Sequence, residues 1–188
     1  MPSPSSCGFL LFGLAAFAIA APRPAPRQNI ALHAMSAETP VHDKVLASDE
    51  AGKLVPATLF FHGKRVSAEL RNSGGVQFQD GGYLLAAVLD TSGHANGAED
   101  KVLACLITEV PLMVSGQRLE PGVYETGVND LHRFVVMNIA AHRIVGVKPR
   151  LDLTQSRPRP LSILADSTRQ SYRLYLGRDY MVLSRADR

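Results

Sequence analysis

From Val55 onward, the chain is a series of short runs of β-branched, aliphatic and aromatic residues, separated at close intervals by Gly, Pro, Asn and Asp. The runs have the length of strands, and the residues between them are those that form turns. No apolar pattern with the period of a helix persists over several turns. The pattern predicts an all-β domain over residues 55–188, an antiparallel β-sandwich or small barrel of about ten short strands.

The individual strands are the apolar runs between turn residues. They are predicted at residues 58–61, 64–70, 76–79, 83–89, 102–110, 112–114, 123–128, 134–139, 143–147, 161–164, 172–176 and 180–184. His62-Gly63 is a predicted two-residue hairpin turn, because glycine adopts a positive φ without steric cost. Gly74-Gly75 is interpreted as another turn. Residues 134–139 and 143–147 are expected to pair around Ala140-Ala141, with paired residue numbers summing to about 281.

An uncharged apolar segment precedes this domain. Residues 8–21 read GFLLFGLAAFAIAA and are followed by Pro22-Arg23. The segment is short for a membrane span, which needs ~20 residues, and it ends in the small residues that signal peptidase accepts. We therefore predict a signal peptide over residues 1–21, a periplasmic or secreted location, and no transmembrane span in the mature chain. The alternative is that the leader is retained as an anchor.

Residues 22–54 are rich in Pro and Ala and sustain neither a helical nor an alternating pattern. Such a segment buries little apolar surface. It is predicted to be a flexible arm, and removal of residues 22–50 is expected to leave the stability of the domain almost unchanged.

Charge is distributed unevenly along the chain. Residues 37–130 contain seven basic and thirteen acidic residues, whereas residues 131–188 contain eleven basic and four acidic residues. A basic region of this kind favours an anionic partner. The alternative is that the two halves lie in the same sheets and neutralise each other across strands.

The sequence contains no pattern typical of a cofactor, metal or nucleophile site. No HxH, HxxxH or CxxC spacing occurs, and His132 and His142 are expected to lie about seven rungs, or roughly 23 Å, apart along their hairpin. Cys105 is the one cysteine of the predicted mature chain, in an apolar run, and is expected to be a buried, neutral thiol. We predict no cofactor and no metal site.

One carboxylate, that of Asp90, directly follows an apolar run that is predicted to be a strand. Residues 84–93 read LLAAVLDTSG, and Ile144-Val145-Gly146 follows later. This arrangement resembles the apolar strand, Asp-Thr-Gly triplet and supporting segment of the aspartic proteases. The resemblance implies that Asp90 is a catalytic carboxylate. Because Ser92 interrupts the triplet and no second triplet exists, only a homodimer would supply the second carboxylate. The favoured interpretation is that Asp90 caps a turn.

A basic and aromatic surface is the other candidate site. Residues 172–176 alternate, so that Arg173 and Tyr175 are expected to be exposed on the face opposite Tyr172. The predicted binding residues are Arg157, Arg159, Arg173, Tyr175 and Arg178. Exposed Tyr and Arg are favoured at interfaces.

The chain is therefore expected to be a non-catalytic binding or structural domain of the cell envelope that contacts a protein, a glycan or an anionic surface and no nucleic acid. The alternatives are an aspartic-type hydrolase acting through Asp90, and a domain that binds a small molecule or a metal.

Overall fold

The computed structural model describes residues 42–90, 104–167 and 170–186. Within these ranges the chain is mostly β, with fourteen strands and one short helix. In chain order they are β1 Lys44–Leu46, α1 Ser48–Leu54, β2 Thr58–Phe61, β3 Lys64–Gln77, β4 Tyr83–Asp90, β5 Ala104–Thr108, β6 Leu112–Val114, β7 Gln117–Leu119, β8 Gly122–Val128, β9 Phe134–Asn138, β10 Arg143–Val147, β11 Arg150–Leu151, β12 Leu161–Ala165, β13 Ser171–Leu176 and β14 Asp179–Arg185.

The strands form two antiparallel sheets. The first has eight strands in the order β1-β3-β4-β5-β8-β9-β10, with β2 paired to β3. The second has six strands in the order β12-β13-β14-β6-β7, with β11 paired to β14. The predicted all-β class is confirmed at this level.

One apolar cluster contains side chains from both sheets. Leu84 and Leu106 from the first sheet are buried with Leu174 and Leu183 from the second. The sheets approach each other closely at Gly74, where an added Cβ would lie 3.3 Å from the Ile163 backbone nitrogen. Each sheet therefore has an inner face, toward this shared core, and an outer face.

The outer face of the first sheet is covered by a second apolar cluster. Leu46, Ala51 and Phe61 are buried there against Leu85 and other side chains of the sheet. These residues come from β1, α1 and the β2–β3 hairpin. The sheet is thus apolar on both faces along β4.

This packing corrects the prediction of a flexible arm over residues 22–54. Its last eleven residues include β1, which pairs with β3, and α1, which contacts β3 and β4. The sequence pattern missed α1 because the helix has only seven residues and buries only Ala51. Residues 1–41, including the predicted signal peptide and the rest of the arm, lie outside the described residues.

Most predicted strands are confirmed, and the exceptions have local causes. The predicted strands at 64–70 and 76–79 are one strand, β3, because Gly74 and Gly75 continue it instead of turning. A register shift between Glu69 and Ser73 accommodates the extra residues, and the Ser73 hydroxyl donates to the Leu70 carbonyl at 2.6 Å. The short strands β1, β7 and β11 were not predicted, so the described residues contain fourteen strands instead of about ten.

The other two predicted turns, at His62-Gly63 and between β9 and β10, are observed. His62 and Gly63 have φ values of 50° and 72° between β2 and β3. In the β9–β10 hairpin Val145 pairs with Val136, which gives the expected sum of 281. No helix in the described ranges has the length and apolar character required to span a membrane.

Candidate anion-binding cleft

A cleft of about 350 Å³ lies on the outer face of the second sheet. The alternation of β13 places Leu174 in the shared core and Arg173 on the outer face. Cross-strand pairing then gathers residues that are distant in sequence, because directly opposed residues point to the same side of a sheet. Arg173 is opposite Val182, and Tyr180 is opposite Arg150. The cleft-lining polar residues are Ser115, Lys148, Arg150, Asp166, Ser171, Arg173 and Tyr180.

Arg173 contacts two neighbouring side chains of this cleft, Asp166 and Tyr180. Its Nη2 atom is 3.0 Å from the Asp166 carboxylate, and its guanidinium lies 5.2 Å from the centre of the Tyr180 ring. The pKa of Asp166 is lowered, first because the Ser167 backbone N–H donates to the carboxylate and also because Arg173 is nearby. Asp166 is therefore ionised at neutral pH and orients Arg173.

Tyr175 contacts Arg173 and is buried, which corrects the expectation that Tyr175 is exposed. Only 1% of Tyr175 is accessible. Its hydroxyl donates to Asp152 Oδ2 at 3.0 Å and also contacts the Arg173 guanidinium, a contact that raises the pKa of Arg173. The Tyr175 and Tyr180 rings have centroids 5.0 Å apart. Tyr175 therefore positions Arg173 and does not offer a surface to a partner.

Lys148 and Arg150 differ from Arg173 in having no acidic partner. Both are exposed, and the buried Pro149 separates them. Across residues 42–90, 104–167 and 170–186, no ion pair or hydrogen bond engages either side chain. Of the charged side chains in the described ranges, three cations and one carboxylate thus line the cleft, and that carboxylate is already bound to Arg173.

Similarity to known proteins does not identify this cleft. No protein family, curated protein or solved structure matches the chain. What the cleft does is therefore inferred from its own residues.

The remaining predicted binding residues lie elsewhere. Arg157 and Arg159 are exposed in the segment that follows β11, and neither lines the cleft. Arg178, in the β13–β14 turn, donates through Nε to the Gln155 carbonyl at 3.3 Å and so fastens that segment. Of the five predicted residues, only Arg173 lines the cleft.

Sequence reasoning missed Lys148, Arg150, Asp166, Tyr180 and the two serines. Lys148 and Arg150 could have been found from the sequence, because they flank Pro149. A proline favours an extended segment, and in such a segment the residues on either side of it point to the same side of the chain. The signal for the others was weak. Their proximity depends on the pairing of β11 and β13 with β14, which local sequence does not encode.

Asp90 lies at the end of β4, is exposed, and has Ser67 as its register partner. Three strands, β5, β8 and β9, lie between β4 and the β10 segment that contains Ile144-Val145-Gly146. The two elements that resemble an aspartic protease therefore do not pair. Thr91, Ser92 and Gly93 lie outside the described residues.

Two histidines face carboxylates. His62 Nε2 is 2.9 Å from Glu125 Oε2, and His132 Nε2 is 3.5 Å from Asp179 Oδ1. In the described part of the chain, no group of three or more His, Cys, Asp or Glu is arranged to hold a metal ion. Burial raises the pKa of the Cys105 thiol to about 11, so this residue is a neutral core side chain.

Proposed function

We propose that this protein is a non-catalytic, exported β-sandwich domain that binds an anionic group through the cleft on the outer face of its second sheet. The observation that carries the proposal is that Lys148 and Arg150, beside the Arg173–Asp166 pair, have no acidic partner within the described part of the chain. The partner is a molecule or an envelope surface that presents that anionic group.

Charge and geometry support binding over a purely structural role. Structural cations on a sheet are ordinarily paired or widely spaced, because like charges close together repel. Here Arg173 is already oriented by Asp166, Tyr175 and Tyr180. Little side-chain entropy remains to be lost at that residue when an anion binds. The volume of the cleft is within the range of small-ligand sites.

The export part of the proposal rests on residues 8–21 and is tested separately. Expressed in a bacterium with its own leader, the protein is expected outside the cytoplasm with an amino terminus near Ala21. Intact mass spectrometry of the extracytoplasmic fraction measures this. A membrane-bound species that retains residues 1–21 would show that the leader is an anchor.

Binding is tested with three ligands that share one ring: glucose, glucuronate and glucose 6-phosphate. Isothermal titration calorimetry of the purified protein is expected to show binding of the two anions and none of glucose. The double variant Lys148→Gln/Arg150→Gln is expected to weaken anion binding at least about tenfold, because each lost charge-assisted hydrogen bond is worth ~1.5–3 kcal/mol.

The matched control is Arg157→Gln/Arg159→Gln, which removes the same charge from exposed residues outside the cleft. It is expected to change the affinity less than about twofold, because exposed charges beyond a Debye length of ~8 Å are screened. Equal losses in both double variants would contradict the cleft as the site. If neither glucuronate nor glucose 6-phosphate binds, the proposed function is contradicted.

A further inference from the structure

We infer that the anionic group recognised by the cleft is a dianionic phosphate monoester, in preference to a carboxylate or any other monoanion. The inference rests on the proposed function and adds the chemical class of the ligand. It is carried by the number, pairing and spacing of the charged side chains around the cleft.

The cleft has an excess of two positive charges. Among the described residues, its lining includes the three cations Lys148, Arg150 and Arg173 and one carboxylate, that of Asp166. Asp166 is fully engaged, since Oδ1 accepts from Arg173 at 3.0 Å and Oδ2 accepts from the Ser171 hydroxyl at 3.3 Å. The Arg173–Asp166 pair is neutral as a unit. The two remaining charges, on Lys148 and Arg150, match a ligand of charge −2 and leave a monoanion with one cation uncompensated.

The spacing of the two free cations fits one tetrahedral group. A residue that precedes a proline is held in an extended conformation, so Lys148 and Arg150 lie ~6–7 Å apart along the chain and both line the cleft. Long side chains that start at this separation converge on a single anion from two sides. A phosphate monoester offers three terminal oxygens to them, whereas a carboxylate offers two in one plane.

A further donor lies on the same edge of β14 as Arg150, since β6 and β11 both pair with that edge. Ser115 is exposed in the turn between β6 and β7, where its φ of 47° is held by the bond from its backbone N–H to the Val182 carbonyl at 2.8 Å. Its hydroxyl has no partner among the described residues. Because Ser115 also lines the cleft, its hydroxyl supplies a donor for a third phosphate oxygen.

The protonation of the ligand, and not that of the protein, should control affinity between pH 5 and 7.5. The charged groups that face the cleft are Lys148, Arg150, Arg173 and Asp166, and the other titratable group is Tyr180. None of the histidines that the structure describes lines it. The pKa of Asp166 is lowered, so that carboxylate stays ionised over this range. The second pKa of a phosphate monoester is about 6, whereas a sulfate ester carries one charge throughout.

The test compares glucose 6-phosphate with glucose 6-sulfate, which has the same shape and one charge fewer. At pH 7.5 the phosphate is expected to bind at least about tenfold more tightly, and the ratio is expected to approach one at pH 5. Lys148→Gln is expected to abolish most of the preference at pH 7.5 while sulfate binding persists. Circular dichroism checks that this exposed-site variant is folded.

A second arm distinguishes a soluble phosphate ester from a lipid headgroup. Phosphatidylcholine vesicles containing phosphatidic acid, which is a monoester, are compared with vesicles containing phosphatidylglycerol, a singly charged diester. Preferential binding to the phosphatidic acid vesicles supports the inference with a membrane source. Preference for glucose 6-phosphate without vesicle binding supports it with a soluble source.

Two results overturn the inference in different ways. Binding of glucose 6-sulfate or glucuronate as tight as that of glucose 6-phosphate at pH 7.5 contradicts the dianion preference and leaves the proposed anion-binding function standing. Failure of all three anions to bind removes the proposed function as well.

Discussion

Glu125 is a buried carboxylate whose pKa is raised. It lies on β8 with 4% of its surface exposed, and its Oε2 atom faces His62 Nε2 across 2.9 Å. Burial raises the pKa of Glu125, and the nearby His62 opposes that rise only in part. Its register partner on β5 is Cys105, which is neutral because its own pKa is raised. Among the described residues, the His62 imidazole is the side chain that contacts this carboxylate.

The raised pKa predicts how stability depends on pH. A group whose pKa is higher in the folded than in the unfolded chain contributes stability below its unfolded value, here 4.5, and that contribution is lost as pH rises through the folded pKa. Glu125→Gln removes this titration. The free energy of unfolding of wild type relative to the variant is expected to fall steadily from pH 4 to pH 7, as measured by urea denaturation at each pH.

The control for this experiment is Glu120→Gln, which removes an exposed carboxylate that pairs with Arg118. Its stability difference from wild type is expected to vary by less than ~0.5 kcal/mol over the same range, because exposed ion pairs contribute little. A wild-type advantage over Glu125→Gln that grows with pH would show that the His62–Glu125 contact outweighs the burial of the carboxylate.

At the level of elements, α1 shows packing overriding helix propensity. Glycine in a helix is ordinarily ~1 kcal/mol less stable than alanine. At Gly52, however, an added Cβ would lie 2.7 Å from the Leu70 backbone carbonyl oxygen of β3. The glycine therefore sets how closely the helix approaches the strand. The atom that a Cβ at Gly52 would meet belongs to the backbone, which cannot move aside as easily as the end of a flexible side chain.

Gly52→Ala is accordingly expected to destabilise the protein by about 1–3 kcal/mol, the range for overpacking a tight contact. Chemical denaturation monitored by circular dichroism measures the change. Lys53→Ala, at the neighbouring exposed position of the same helix, is expected to stay within ~0.5 kcal/mol of wild type. A stabilising effect of Gly52→Ala would mean that helix propensity prevails and that the helix is free to move away from β3.

On the scale of the molecule, the acidic and basic halves of the chain share both sheets. The basic half supplies β9 and β10 to the first sheet and β11–β14 to the second, where they join β6 and β7 of the acidic half. Some charges are compensated between the halves, since Arg185 pairs with Asp80. That contact lowers the pKa of Asp80 to about 2. Lys148 and Arg150 have no such partner among the residues that the structure describes, which leaves a positive excess at the cleft.

The N-terminal part of the domain is tied to the second sheet by one buried tyrosine. The Tyr172 hydroxyl donates to Asp43 Oδ2 at 2.6 Å, and Asp43 also accepts from the Gln79 backbone N–H at 2.9 Å. The Tyr172 ring packs edge-to-face against Phe78, with centroids 6.1 Å apart. These contacts explain why an ordered domain begins well before the predicted boundary at Val55.

The sequence by itself determined the all-β class, most strand positions and two of the three predicted turns. These features depend on alternation within a few residues and on turn residues such as His62-Gly63, so they are encoded locally. The face of β13 that carries Arg173 was predictable for the same reason.

Only the tertiary structure decided which of these residues act together. The continuity of β3 through Gly74-Gly75, the burial of Tyr175 and the docking of α1 all depend on partners distant in the chain. Arg150 and Arg173 meet because their strands both pair with β14. The physical reason is that turn and strand preferences are short-range energies, whereas burial and the pairing of charges are set by contacts that form only when the sheets assemble.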